Sequence, residues 1–521
     1  MTVTWIILIF PTVLLLSGAI RLRETSMPVA PPEWAERAAL VGIGLATYSA
    51  LHVIIFGPTT SPVLGLRQFG LSILLDAVSV IMLLMTSVLA WVILRFSSTH
   101  LQGEEGEGHF TFWLSVTLAS IVLLVTSGNL VQLGLGWVAI TTGVNRLLIF
   151  YPNRLGAQRA AQKKLIFARA TDIALAIGLV LLYVAYGESD ITSINEAARA
   201  GSIPIAVLFA TAFLAIAAVL QSALLPVHGW LIETMEAPTP VSALVHAGVV
   251  SMGGFLLIRF ADVMLSAPIT LAILVIAGGL SALVGSIVML TQSAVKTSLA
   301  WSTVSQMGFV VLLCGLGLFP LALLHIVAHG LYKAHSFLNA AEACSVTHAA
   351  RQLGPVAHPS TRNVALATAI AITIYALVVL PLDLVEKSPQ DVAIGAILIL
   401  GMGHLVAQGL ADAGPRKLVL ATARVSILFV ASYLAFQWIA QKLTATTLPP
   451  TPEAGLLEWV LITLALLSFT VVAVAQALLP RWSTHPVVRE LHIHVANGFY
   501  LNARMDRFAG AWKIAPQIKE T

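Results

Sequence analysis

Charge is what this sequence has least of. Asp, Glu, Lys and Arg make up 10% of its 521 residues, against 58% hydrophobic, and the mean hydropathy is +0.92. Soluble domains carry about 25% charged residues, so a chain this poor in charge cannot cover itself with polar groups in water. The bilayer must be its solvent. Cysteine is almost missing: Cys314 and Cys344 lie in or beside apolar segments, with no metal-ligand spacing and no disulfide framework. The net charge of +4 is small and spread over loops, so nothing suggests a nucleic-acid partner; membrane lipid is the expected surroundings. No Ser-rich linker or low-complexity tract interrupts the chain. The apolar run 5–20 lacks a basic n-region and a clear small-x-small cleavage site, and reads as a retained first span.

What is present is one apolar run after another. A crossing needs roughly 20 apolar residues, and about fifteen stretches qualify: 2–20, 37–57, 71–96, 111–127, 129–150, 165–186, 203–224, 241–261, 268–290, 297–317, 319–342, 363–381, 391–411, 418–440 and 456–479. The expected fold is an all-α polytopic membrane protein. It has one transmembrane domain over 1–480 and a polar tail over 481–521. Loop charge sets the orientation. Arg154, Arg159, Lys163 and Lys164 put the connection after the fifth span inside, and Glu188, Asp190 and Glu196 put the next one outside. Continuing the alternation leaves the N-terminus outside and the basic tail in the cytoplasm, as in an inner-membrane protein. The acidic loop 97–110 resists this scheme, but acidic residues count little in the rule.

An ionisable group at the bilayer centre costs roughly 2.5–3.5 kcal/mol on the mildest scale, so those present must pair, face a polar interior or conduct. His325, His329 and Lys333 follow at i, i+4 and i+8 and form one stripe of roughly 12 Å along a helix. His335 lies near the same level on a neighbouring face. Imidazoles donate from one nitrogen and accept at the other, and a desolvated lysine gives up its proton readily, so such a stripe suits proton passage. The competing reading is glue between helices. A second cluster surrounds Pro226, Pro238 and Pro240, which break the helix and free carbonyls where only protein or water can satisfy them. His228, Glu233, Glu236 and His246 lie around this break, an arrangement that recurs at ion sites in transporters. Lys296 is either part of that pathway or an interfacial lysine that snorkels. Arg169 and Asp172, at i and i+3, form a supporting ion pair, equally a clamp or a relay. His404 is a lone polar site in its span, and Asp76 is expected in interfacial water.

Several blocks around these residues resemble the large antiporter-like proton-translocating subunits of respiratory complex I and of Mrp-type sodium/proton antiporters. MEAPTPVSALVHAGVV at 235–250, VKTSLAWSTVSQMGF at 295–309, HIVAHGLYKAHSFL at 325–338, GNLVQLGLGW at 128–137 and RATD at 169–172 carry it, over roughly 70–340. The resemblance implies two inverted five-helix repeats, each with a broken helix, the second break falling near 382–390 or 401–409. It also implies that His246, Lys296, His325, His329 and Lys333 serve proton transfer. Two positions depart from the pattern. Val138 stands where the family has a glutamate after Gly-Trp, and Gln221 where it has a lysine, which favours conduction through the second repeat over the first.

GWVAI, LYKAHSFL and the tail RELHIHVANGFYLNARMDR narrow the resemblance to the DabB branch, membrane subunits of inorganic-carbon uptake complexes. That implies a DabA-like peripheral zinc protein on the cytoplasmic side, similar to a β-carbonic anhydrase, whose CO2 hydration is driven one way by cations entering through this chain. The chain itself would be no enzyme, with no metal or cofactor of its own and the zinc on the partner. Arg489, His492, His494, Tyr500 and Arg504 in the tail are the expected partner contacts. Two alternatives stand beside this: a pumping subunit of a complex I-like or Mrp-type assembly, and a non-conducting anchor.

Overall fold

The structure, a computed structural model, describes residues 4–23, 33–65, 69–340, 361–379, 388–409, 416–482 and 485–509. In hydrocarbon no backbone group can be left unpaired, so the apolar runs close their hydrogen bonds on themselves as helices. After a short 3-10 turn these are α1 (Ile9–Arg23), α2 (Glu33–Phe56), α3 (Ala77–His100), α4 (Glu107–Val125), α5 (Leu130–Leu148), α6 (Leu155–Tyr186), α7 (Ile191–Arg199) and α8 (Ile205–Gln221). The short pieces α9 (Gly229–Ile232), α10 (Thr239–Leu244), α11 (Met252–Arg259) and α12 (Ala261–Leu265) follow. Then come α13 (Pro268–Met289), α14 (Val295–Gly315), α15 (Phe319–Leu338), α16 (Thr361–Val379), α17 (Pro389–Gly409), α18 (Arg416–Thr444) and α19 (Leu456–Trp482). The tail adds α20 (Pro486–Ala496) and α21 (Leu501–Ala509). A two-residue pairing of Thr59–Thr60 with Leu74–Leu75 closes the loop between α2 and α3.

Each of the fifteen predicted segments contains a helix, and nine spans among the described residues are long and apolar enough to cross a membrane. Helix starts follow capping chemistry: Asp76, Asn129 and Asp190 each accept a backbone N–H three residues on, at 2.7–2.8 Å. The span from Thr239 to Arg259 lies wholly inside the bundle, whereas Leu456–Gln476 is only 11% buried and faces outward. Small residues allow close crossings: Gly278 and Gly308 meet so tightly that a Cβ on either would approach backbone at 2.6 Å.

The chain breaks where the prolines predict. After α8 it runs through two short turns to Pro238 before helix resumes at Thr239. The resumed helix is wound out into a π turn at Val245–Val249, closed by Val250 N–H to Val245 O at 3.1 Å. Of the second expected break, residues 382–387 lie outside the described residues, and 401–409 is helical throughout. His404 lies on α17, with its side chain outside the described ones.

Candidate ion-translocation site

Three elements converge on the middle of the bundle: the broken span α10–α11, α14 and α15. Their polar side chains form a file. Near the end of the bundle that carries the tail, Lys296 Nζ donates to Thr239 Oγ1 at 3.0 Å. Deeper, Lys333 Nζ donates to Leu299 O at 2.9 Å and to Ser302 Oγ. One layer on, His246 lies between two hydroxyls, with Nδ1 3.0 Å from Thr303 Oγ1 and Nε2 3.3 Å from Thr234 Oγ1. Both hydroxyl protons are already given to carbonyls, Thr303 to Leu299 and Thr234 to Leu231. Each His246 nitrogen therefore meets an oxygen lone pair, so the ring can keep its proton on either nitrogen. A relay needs that freedom.

The file continues on α15. His329 Nε2 donates to His246 O at 3.1 Å, inside the π turn, while its Nδ1 is buried without a partner among the described residues. The His325 ring lies 6.4 Å beyond, nearly parallel, and its Nε2 donates to Gln306 Oε1 at 2.7 Å. His325 opens onto an apolar cavity of about 630 Å³ lined by Phe309, Ile397, Phe429, Tyr433 and Phe436.

The other named residues fall elsewhere. His228 is fully buried against Trp301, 4.7 Å between ring centroids, with both nitrogens unpartnered among the described residues. Glu236 is exposed at the tail-side mouth, where a cavity of about 370 Å³ is lined by Arg159, Glu233, Glu236 and Asp506. His335 points away from the file into a groove against α3 with Glu36 and Arg95. Arg169 pairs with Asp172 at 2.9 Å on α6, apart from the file. Gln221 is buried and donates to Val249 O at 2.9 Å, while Val138 is partly exposed on α5. In the tail Arg489, His492, His494, Tyr500 and Arg504 are all exposed.

Asp76 corrects the sequence reading. It does not face interfacial water but is buried, accepting from Arg259 Nη1 at 2.5 Å at the end of the bundle opposite the tail. A second pair lies beside it: Arg199 binds both oxygens of Asp262 at 2.9 and 3.0 Å, and those hydrogen bonds hold the guanidinium further above its ordinary range. Sequence reasoning also missed the α14 hydroxyls. Lys296, Ser302, Thr303 and Gln306 lie toward one side of α14, a polar face that could have been read next to the α15 stripe. A third omission is the buried cluster around Lys163, which donates to Glu233 Oε1 at 2.6 Å and Asn502 Oδ1 at 2.7 Å and pairs with Asp506. Next to it, Lys164 lies over the Trp230 ring at 3.8 Å.

Residues 127–388 match the family profile described as NADH:quinone oxidoreductase/Mrp antiporter, transmembrane. A probable inorganic carbon transporter subunit DabB2 of Halothiobacillus neapolitanus is 35% identical over 491 residues, covering 92% of this chain and 87% of that protein. The chain belongs to this family, in its DabB branch. A probable subunit DabB of Hydrogenovibrio crunogenus is 44% identical over 264 residues, a match spanning about half of each chain, 50% and 51%. Among solved structures the fold is similar to an Mrp complex chain from a Dietzia species, with a TM-score of 0.62 at 21% identity, covering 100% of this chain and 60% of that one. That likeness shows the fold. The ionisable residues of the file fall in three of the five sequence blocks that carry the resemblance, 235–250, 295–309 and 325–338.

Proposed function

We propose that this chain is the cation-translocating membrane subunit of an inorganic-carbon uptake complex, and that the cation is a proton. The observation that carries the reading is the file from Lys296 through Lys333, His246 and His329 to His325: Lys333 and Thr303 share the Leu299 carbonyl, Thr303 meets His246, His329 meets the His246 carbonyl, and the His325 ring stacks 6.4 Å further on. Protonatable groups lined up through an apolar bundle, with hydroxyls and carbonyls between them, suit proton hopping better than a hydrated metal ion. The names of the DabB relatives supply the carbon-uptake context. In this reading the chain crosses the inner membrane fifteen times in two inverted repeats, with its N-terminus outside and its tail in the cytoplasm. A DabA-like zinc protein docks on the exposed residues Arg489, His492, His494, Tyr500 and Arg504, and the proton-motive force drives its CO2 hydration one way.

Replacing Lys333 by Met in the intact complex tests this. Carbon uptake and proton flux should be lost while the partner still co-purifies. Undiminished flux with the partner bound would reduce the file to helix glue. The Mrp-like fold keeps a second reading in view, a subunit of a complex I-like or Mrp-type assembly. It requires flux coupled to electron transfer or to sodium rather than to inorganic carbon, and ion-replacement assays on the same vesicles separate the two.

A further inference from the structure

The tail does more than extend beyond the last span: it reaches back to the mouth of the file, where Asp506 lines the cavity beside Glu233. Asn502 and Asp506 on α21 meet Lys163 of α6, whose ammonium is fully buried, donates to Asn502 and Glu233 and pairs with Asp506. Asn502 Nδ2 also donates to Glu233 Oε1 at 3.2 Å. Glu233 precedes Thr234, the residue whose hydroxyl faces His246 Nε2, so the arm grips the broken segment one residue from the file. The arm also lies across Trp301. Gly498 is so close that a Cβ there would meet the indole at 2.8 Å, and Trp301 in turn covers His228. Between α20 and α21 the backbone passes through Gly498, Phe499 and Tyr500 at φ 57°, 53° and 58°. Left-handed backbone at Phe and Tyr is costly and persists only where both flanks are held in place. The water-facing cavity of about 370 Å³ is lined by Glu233 and Asp506, and the ammonium they hold is sealed behind them.

We propose that α21 is a plug: Asn502 and Asp506 are positioning residues that lock Lys163 onto Glu233, and passage of protons into the file requires the arm to lift. The proposal rests on the transport reading above. It is tested with the full-length chain in proteoliposomes, with a pH-sensitive dye inside and an imposed potassium diffusion potential. Asp506→Asn and Asn502→Ala should each raise proton flux about tenfold, the factor for losing one charge-assisted contact. Adding Lys333→Met should abolish the gain, which excludes a leak through damaged protein, and Asp506→Glu should return flux to the wild-type level. Should the Asp506 variant fail to fold, a cross-link decides. Gly229→Cys with Asn502→Cys, in a chain whose Cys314 and Cys344 are replaced by Ala, should hold flux at the empty-vesicle level until reduced. Flux that is unchanged by Asp506→Asn or by oxidation of the cross-link, yet still blocked by Lys333→Met, overturns the plug and leaves the transport reading standing. Flux indifferent to Lys333→Met in every variant overturns the transport reading itself.

Discussion

Lys163 and Lys333 are both buried in this bundle, and they are held in opposite ways. Lys163 has two carboxylates and an amide oxygen around it, contributed by the broken segment and the tail. Lys333 has one carbonyl and one hydroxyl, both from α14, and no carboxylate among the described residues. Lys163 neutralises both carboxylates, and removing either member of such a buried pair leaves the other uncompensated. The neutral oxygens around Lys333 accept a hydrogen bond from an amine as well as from an ammonium. One lysine is therefore held in an ion cluster, the other among neutral oxygens. Burial alone does not mark a conducting residue; the ligands do.

That contrast can be broken in several ways. The largest effect is expected from Lys333→Arg, which preserves charge but cannot release a proton. Proton flux in vesicles should fall about a hundredfold or more, as for loss of an acid–base group; a variant that keeps a tenth of the flux would show that charge, not exchange, is what the site requires. Lys163→Met comes next. Removing one member of a buried ion cluster costs about 3 kcal/mol, visible as a lower midpoint of thermal unfolding in detergent, while Lys333-dependent flux rises because the arm loses the ammonium it grips. If that flux disappears instead, Lys163 is part of the path. Arg199→Met should cost at most about 1 kcal/mol, because its guanidinium is half exposed and screened, and should leave transport unchanged. The smallest change belongs to Glu236→Gln at the mouth. Flux should drop less than about twofold, and the difference should vanish in high salt as screening shortens the reach of surface charge.

How much of this was legible follows from the range of each interaction. The α15 stripe could be read because its members are four residues apart and the helix period brings them into line. The break at 222–238 was equally local, announced by prolines that cannot continue a helix. The partners of those residues were harder to find. Thr303 and Gln306 carry no charge and attract notice only once α14 is known to face α15. Asp76 was misjudged because its partner, Arg259, is 183 residues away and follows a span that looks uniformly apolar. The Lys163 cluster was out of reach for the same reason, since Asn502 lies 339 residues further along the chain.

By itself the sequence determined the solvent of this protein, its helices, the position of the break and the stripe of ionisable groups on α15. These depend on composition and on periods of a few residues, which hydrogen bonding in a bilayer enforces locally. Only the tertiary structure decided which buried charge is neutralised and which is left among neutral oxygens, and that the tail folds back to the mouth. Those outcomes depend on contacts between distant segments, where burial and pairing are settled together and no short pattern records the result.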